Sequence, residues 1–241
     1  MAKASRFPGF PREALQFFRD LEQNNDRDWF QARKDVYERA IKAPTEALVE
    51  ALNAELLAFA PDYVTEPRKA IYRIYRDTRF SADKTPYKTH TAASFIRRGL
   101  EKHAGAGFYF GVSHKEVEVA GGVYLPPPGQ LLVIRGHLAD KHAELRRLLA
   151  ARKLREAMGE VQGTKLTRVP KGWPGDHPAA DLLRAKQWYF YVLLDAEIAT
   201  TAELLPEVAR RFRLMAPVID FFNSPLVARR KKAAAQESLW S

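Results

Sequence analysis

The chain has 241 residues, 46% of them apolar and 28% charged, which suits a globular protein long enough to bury a core without a disulfide or metal staple. It contains no cysteine, so disulfides, iron–sulfur clusters, cysteine zinc sites and cysteine nucleophiles are excluded. No apolar run approaches the roughly 18 residues of a membrane span, and residues 1–8 lack the apolar stretch of a signal peptide, so no membrane partner is expected and the cytoplasm is the expected compartment.

The N-terminal third predicts helices. After Gly9-Phe10-Pro11, the residues Ala14, Phe17, Phe18 and Leu21 recur at helical spacing, and Pro11 suits a first helical position. Asn24-Asn25 breaks this helix. A second begins near Asp26 or Asp28, with Trp29, Phe30, Tyr37 and Ile41 apolar. Pro44 begins or kinks a third that carries Leu48, Leu52, Leu56 and Phe59, and Pro61 ends it. The period then changes: residues 70–76 are rich in β-formers and read as a strand, as do residues 91–97. Residues 108–112 and 117–124 predict a hairpin turning at Ser113-His114-Lys115, with Gly121-Gly122 marking a bulge or a close backbone approach. Pro126-Pro127-Pro128-Gly129 stops the sheet. Helices are expected at 130–138, 140–150 and 151–158, then a loop over 169–175 and a short helix near 178–185.

Residues 187–194 are apolar on both faces, the pattern of a central strand covered on both sides. The last helix is expected over 201–222, with Thr200 and Glu203 as a capping box, Leu205, Val208, Phe212, Met215 and Ile219 as its buried stripe, and a kink at Pro217. Together these elements predict an α+β fold, one domain over residues 1–226 with a largely antiparallel sheet packed with helices from both ends of the chain. Residues 227–241 read as a basic, disordered tail.

The net charge of +10 is concentrated. Residues 68–102 carry ten basic and three acidic side chains, net +7, whereas residues 1–67 are net −3. Such a field favours anionic partners. Within it, residues 73–90 place Arg73, Arg76, Arg79, Lys84 and Lys88 around Asp77 and Asp83. Guanidinium forks grip phosphate or carboxylate in two places, lysines add point charges, and the nearby cations should keep both aspartates ionised. On a strand, Arg76 would share a face with Tyr72 and Ile74, and Arg73 would lie opposite.

Three readings stay open. In the first, Arg73, Arg76, Arg79, Lys84 and Lys88 hold a phosphorylated or carboxylated small molecule, with Asn25, Tyr87 and Lys171 as outer ligands and Asp77 or Asp83 as a catalytic base or orienting group. In the second, the interleaved aromatic and basic residues bind nucleic acid or an acidic protein without catalysis. In the third, Arg76, Asp77, Arg79 and Asp83 form a buried structural network with no ligand. Whether the protein is an enzyme is left open, and no cofactor is named. No metal site is expected: His137 and His142 are five apart, which misses the i, i+4 spacing of a helical metal pair. Asp176-His177 reads as a helix cap before Pro178. Phosphate-loop and nucleophile-elbow motifs are missing from the sequence.

The run Arg76-Asp77-Thr78-Arg79-Phe80-Ser81-Ala82-Asp83-Lys84-Thr85-Pro86-Tyr87-Lys88-Thr89-His90 resembles the signature of the bacterial and fungal proteins grouped as domain of unknown function 2461. Other blocks agree in order. Residues 21–30, with Asn24-Asn25 and Trp29-Phe30, resemble that family's N-terminal block. Gly107-Phe108-Tyr109 and Ala120-Gly121-Gly122-Val123-Tyr124 resemble its glycine-rich hairpin, although Val123 stands where a third glycine is expected. Residues 166–173 and 176–180 resemble its C-terminal block. The resemblance covers residues 7–225 and implies a compact single domain; it brings no activity with it.

Overall fold

The computed structural model describes residues 6–101 and 104–237. In chain order the elements are α1 (Arg12–Gln23), α2 (Arg27–Gln31), α3 (Lys34–Val36), a π-helical turn (Tyr37–Lys42), α4 (Ala43–Leu56), α5 (Pro67–Ala70), β1 (His90–Ile96), β2 (Ala106–Ser113), β3 (Glu116–Val123), α6 (Pro128–Leu149), α7 (Arg152–Met158), α8 (Ala180–Leu183), β4 (Trp188–Asp195) and α9 (Leu204–Glu237). The strands form one antiparallel sheet in the order β1-β2-β3-β4, packed with helices, so the fold is α+β as the sequence predicts.

The chain divides into two compact units. The first comprises Met1–Phe95, Tyr109–Val119 and Leu193–Arg210; the second comprises Ile96–Phe108, Ala120–Val192 and Arg211–Ser241. In the first, the stripe of α1 (Ala14, Phe17, Phe18, Leu21) is fully buried. Asp26 caps α2 by accepting from the Trp29 N–H at 2.8 Å. Thr45 of α4 meets Thr91 of β1 through their hydroxyls at 3.1 Å, so β1 turns its odd-numbered residues, with Phe95, toward the helices. In the second unit, Phe212 of α9 stacks on Phe108 of β2 at 4.8 Å, and Phe222 lies 5.5 Å from Trp188 of β4. The five expected stripe residues of α9 are all buried.

Several expectations change. Residues 70–76 are not a regular strand. Ala70 ends α5, and only isolated antiparallel bridges follow, Ile71 with Ala93 and Tyr75 with Tyr87. Pro86 has no N–H to donate, so the ladder along this edge is broken. The two expected helices over 130–150 are one, α6, interrupted by non-helical backbone at Lys141. β4 is an edge strand, not a central one: Trp188 and Phe190 face the core, whereas Tyr191 is 37% and Leu193 47% exposed. The Thr200–Glu203 box does not form. Thr201 accepts the Glu203 N–H at 3.3 Å, because Thr200 belongs to a short 3₁₀ turn, Ala196–Thr200.

α9 passes through Pro217 and Pro225 and continues to Glu237, beyond the expected end at 222 and into the stretch expected to be disordered. Ala233-Ala234-Ala235 are strong helix formers that favour this continuation. Residues 238–241 of that expected tail lie outside the described residues. The hairpin turns as expected, with the Ser113 hydroxyl accepting the Lys115 and Glu116 N–H groups at 3.1 Å.

Gly122 makes the close approach that its sequence context suggests. It sits at φ +130, and a Cβ there would run into the carbonyl oxygen of Trp188 on β4. Gly122→Ala should therefore cost about 2 kcal/mol or more, from strain and clash together, measured by denaturant unfolding. Gly136→Ala, on an open helix surface with nothing within 4 Å, should be neutral or stabilising in the same assay.

Candidate functional site

Residues 71–90 form an irregular ribbon that folds back on itself and leads into β1. The Tyr72 N–H donates to the Ala92 carbonyl at 2.9 Å, the Arg76 N–H to Pro86 at 2.9 Å, and the Lys88 N–H to Ile74 at 2.8 Å. The alternation of a strand survives without its ladder: Ile74 is buried and Arg76 half-buried, whereas Arg73, Tyr75, Asp77 and Arg79 are exposed.

The ribbon is fixed from beneath. Tyr87 is buried and stacks on Phe30 of α2, with ring centroids 4.0 Å apart and planes at 15°. Asn25, in the break before α2, closes two hydrogen bonds on the same residue. Its Nδ2 donates to the Tyr87 carbonyl at 3.0 Å, and its Oδ1 accepts the Tyr87 N–H at 3.0 Å. Asn25 and Tyr87, expected as ligand contacts, are thus occupied as supports. Trp29 lies 5.6 Å from Phe17 in the same aromatic layer and carries the Arg33 guanidinium 4.4 Å over its ring.

Above this layer the charged groups are ordered. Arg76 places Nη1 on the Asp83 carboxylate and the Thr85 hydroxyl. Asp83 in turn accepts the Thr85 N–H at 2.9 Å. Arg79 bonds Asp77 through two nitrogens, Nε at 3.0 Å and Nη2 at 2.8 Å. Lys84 Nζ donates to the Thr78 carbonyl and Lys88 Nζ to the Arg73 carbonyl, both at 2.9 Å. Arg73 is exposed and forms no ion pair among the described residues. Lys171 is exposed on the loop that follows α7, outside the unit that carries the ribbon.

These pairs correct the expectation of a buried network. The Arg79 side chain is 76% exposed, and Asp83 is 57% exposed. Exposed ion pairs contribute little to stability, so they orient the ribbon more than they hold the fold. They also set the protonation of the aspartates. Asp77 is held down at about 2, first by the Arg79 guanidinium and then by the Arg79 N–H. Asp83 is held at about 2, first by the Thr85 N–H and then by Arg76. Both are ionised at neutral pH, and each is a weak proton acceptor that already faces cations.

One neighbouring group went unnoticed in the sequence. Lys88 lies 5.3 Å over the Tyr72 ring, and Tyr72 lies 6.2 Å from Tyr109 of β2. Tyr109 hydrogen-bonds Glu118 of β3, whose carboxyl is pushed up by burial and by the charge of Glu116. The alternation of buried Val117 and Val119 with Glu116 and Glu118 is the signal that puts Glu118 on this polar face. Elsewhere, the Asp176-His177 pair does not cap α8, whose N-cap is Ala179: His177 Nδ1 accepts the Ala179 N–H at 3.0 Å in the turn that precedes the helix. Among the described residues, no group of three or more histidine, aspartate or glutamate side chains comes together as a metal site.

A family model described as a conserved hypothetical protein, DUF2461, matches residues 13–221. No curated protein and no solved structure matches the chain. The matched region contains both the Asn25–Phe30 block and the ribbon that it supports.

The depressed aspartates give a pH test. Their folded-state values lie below the unfolded value, so the stability they add is present above the ordinary 3.8 and is lost as pH falls toward about 2. Carboxyl NMR titration should find both midpoints near 2. Arg79→Ala should return Asp77 toward 3.8, whereas Arg76→Ala should move Asp83 less, because the Thr85 N–H remains. Wild-type midpoints near 3.8 would show that the pairs do not form in solution.

Proposed function

The chain belongs to the DUF2461 family, and we propose that it uses the ribbon over residues 73–88 to bind the oxyanion of a phosphorylated or carboxylated small molecule. The reading rests on one observation: five cations and only two carboxylates share a short strip supported by Asn25 and Phe30. The carboxylates occupy only part of each guanidinium. Asp83 and Thr85 take Nη1 of Arg76 and leave Nε and Nη2; Asp77 takes Nε and Nη2 of Arg79 and leaves Nη1. Arg73 adds a third guanidinium. The lysines, tied to main-chain carbonyls, hold their charge close to the strip. An anion meeting such a strip finds donors already ordered, so little side-chain entropy opposes binding.

In this reading Asp77 and Asp83 are orienting groups. The paired arginines lower the proton affinity of both carboxylates, which disfavours either as a base. Binding to the ribbon is therefore the role assigned, and a chemical step is not.

A second reading is favoured by Phe80. It is 96% exposed at the tip of the ribbon, with the Arg79 guanidinium 5.8 Å from its ring. An exposed ring beside a phosphate-binding strip suits a ligand that carries a nucleobase, as a free nucleotide or within a single strand.

Thermal unfolding with inorganic phosphate, pyrophosphate or a mononucleotide, at constant ionic strength, tests both readings. The wild-type midpoint should rise saturably with at least one of them. Arg73→Ala and Arg76→Ala should each weaken the apparent affinity roughly 10-fold or more, as expected for a lost charge-assisted contact. Phe80→Ala should weaken the nucleotide alone if the second reading holds. Equal stabilisation of the wild type and the arginine variants, or no stabilisation by any of the three, would leave the ribbon as a structural staple.

A further inference from the structure

The second unit contains a buried charge that the chain does not balance. Arg135 lies on α6 between the apolar positions Ile134 and Leu138 and is only 8% exposed. Its Nη2 donates to the main-chain carbonyl of Ala185 at 3.0 Å. Its Nε is closed off with no acceptor. Nη1 is neither closed off nor hydrogen-bonded to protein, and so is the nitrogen on the open edge of the group. No carboxylate pairs with Arg135 among the described residues, and burial alone acts on it, pushing its pKa down with no neighbouring charge to offset the effect.

A lysine or histidine in such a place would give up its proton. A guanidinium keeps its charge under all ordinary conditions, and an unpaired charge out of water is costly enough to need a counter-charge. The chain's own acid on α8 does not supply it, since Asp181 is held by Arg146 at 2.6 Å. A methionine or leucine at position 135 would fill an apolar helix face with no such penalty, so the retained charge calls for a partner.

We propose that the second unit binds a small oxyanion, a phosphate or carboxylate, against the open edge of Arg135. The ligand chemistry is two oxygens sharing negative charge, which a guanidinium recognises through N–H donors in one plane. The main-chain bond to Ala185 fixes that plane in advance. This site is independent of the ribbon reading, because it uses none of the ribbon's residues.

The test is arginine Nε–H NMR of the full chain titrated with inorganic phosphate and, separately, with malonate at constant ionic strength. Arg135→Met identifies the Arg135 resonance by its disappearance; if that variant does not fold, Arg135→Lys does the same. The Arg135 signal should shift and saturate with at least one anion, and the arm that shifts it separates a phosphate ligand from a carboxylate one. Arg73→Ala should leave that response unchanged, so loss of ribbon binding and loss of this site are read apart. An Arg135 signal unmoved by excess phosphate and excess malonate overturns the proposal and leaves a buried arginine satisfied by its single carbonyl.

Discussion

The side-chain amide of Asn25, closed against the main chain of Tyr87, is the contact on which the ribbon's geometry depends. An amide can donate and accept at once, so it reproduces one rung of a β-ladder where no strand is available. The rung is made 62 residues away in sequence, and the stacked rings of Phe30 and Tyr87 lie beside it. This matters because the ribbon lacks a continuous ladder of its own. Pro86 interrupts it, leaving one isolated bridge to β1 at Ile71 and one within the ribbon between Tyr75 and Tyr87. Without the rung, a segment rich in like charges would have reason to spread apart.

The charges themselves are arranged in two tiers. Asp77 and Asp83 do not cancel the ribbon's field; they aim part of it. Each takes some of the nitrogens of one guanidinium and leaves the others, while main-chain carbonyls tether the lysines without neutralising them. The result is a positive strip whose paired side chains are ordered by contacts within the chain. Because these groups are exposed, their mutual attraction is screened and adds little to folding. Support for the ribbon comes from the aromatic layer beneath.

Much of this fold is legible in the sequence because its helices and hairpin obey simple periods. Ala14, Phe17, Phe18 and Leu21 mark α1, and Leu205, Val208, Phe212, Met215 and Ile219 mark α9, since a 3.6-residue stripe leaves few alternatives. The errors come where local signals compete with tertiary context. Tyr72 to Arg76 has the composition of a strand, but composition cannot show that Pro86 will lie opposite Arg76 and break the ladder. β4 has apolar residues on both faces, yet strand order, which decides whether both are covered, is not written in the strand itself. The candidate site divides in the same way. Its cations and aspartates are visible as a run, but the pairings of Arg76 with Asp83 and Arg79 with Asp77, and the supporting role of Asn25, depend on how the loop closes. Glu118 was missed because the expectation followed charge and overlooked alternation.

If Asn25 fixes the ribbon, amide hydrogen exchange at the residues it holds will show it. In the wild type the Tyr87 N–H, donated to Asn25, should be protected together with the Arg76 and Lys88 amides that close the ribbon. In Asn25→Ala, protection at all three should fall together while the amides of β2 and β3 keep theirs. Unchanged protection at Arg76 and Lys88 in that variant would contradict the claim and show that the ribbon holds its shape without the amide beneath it.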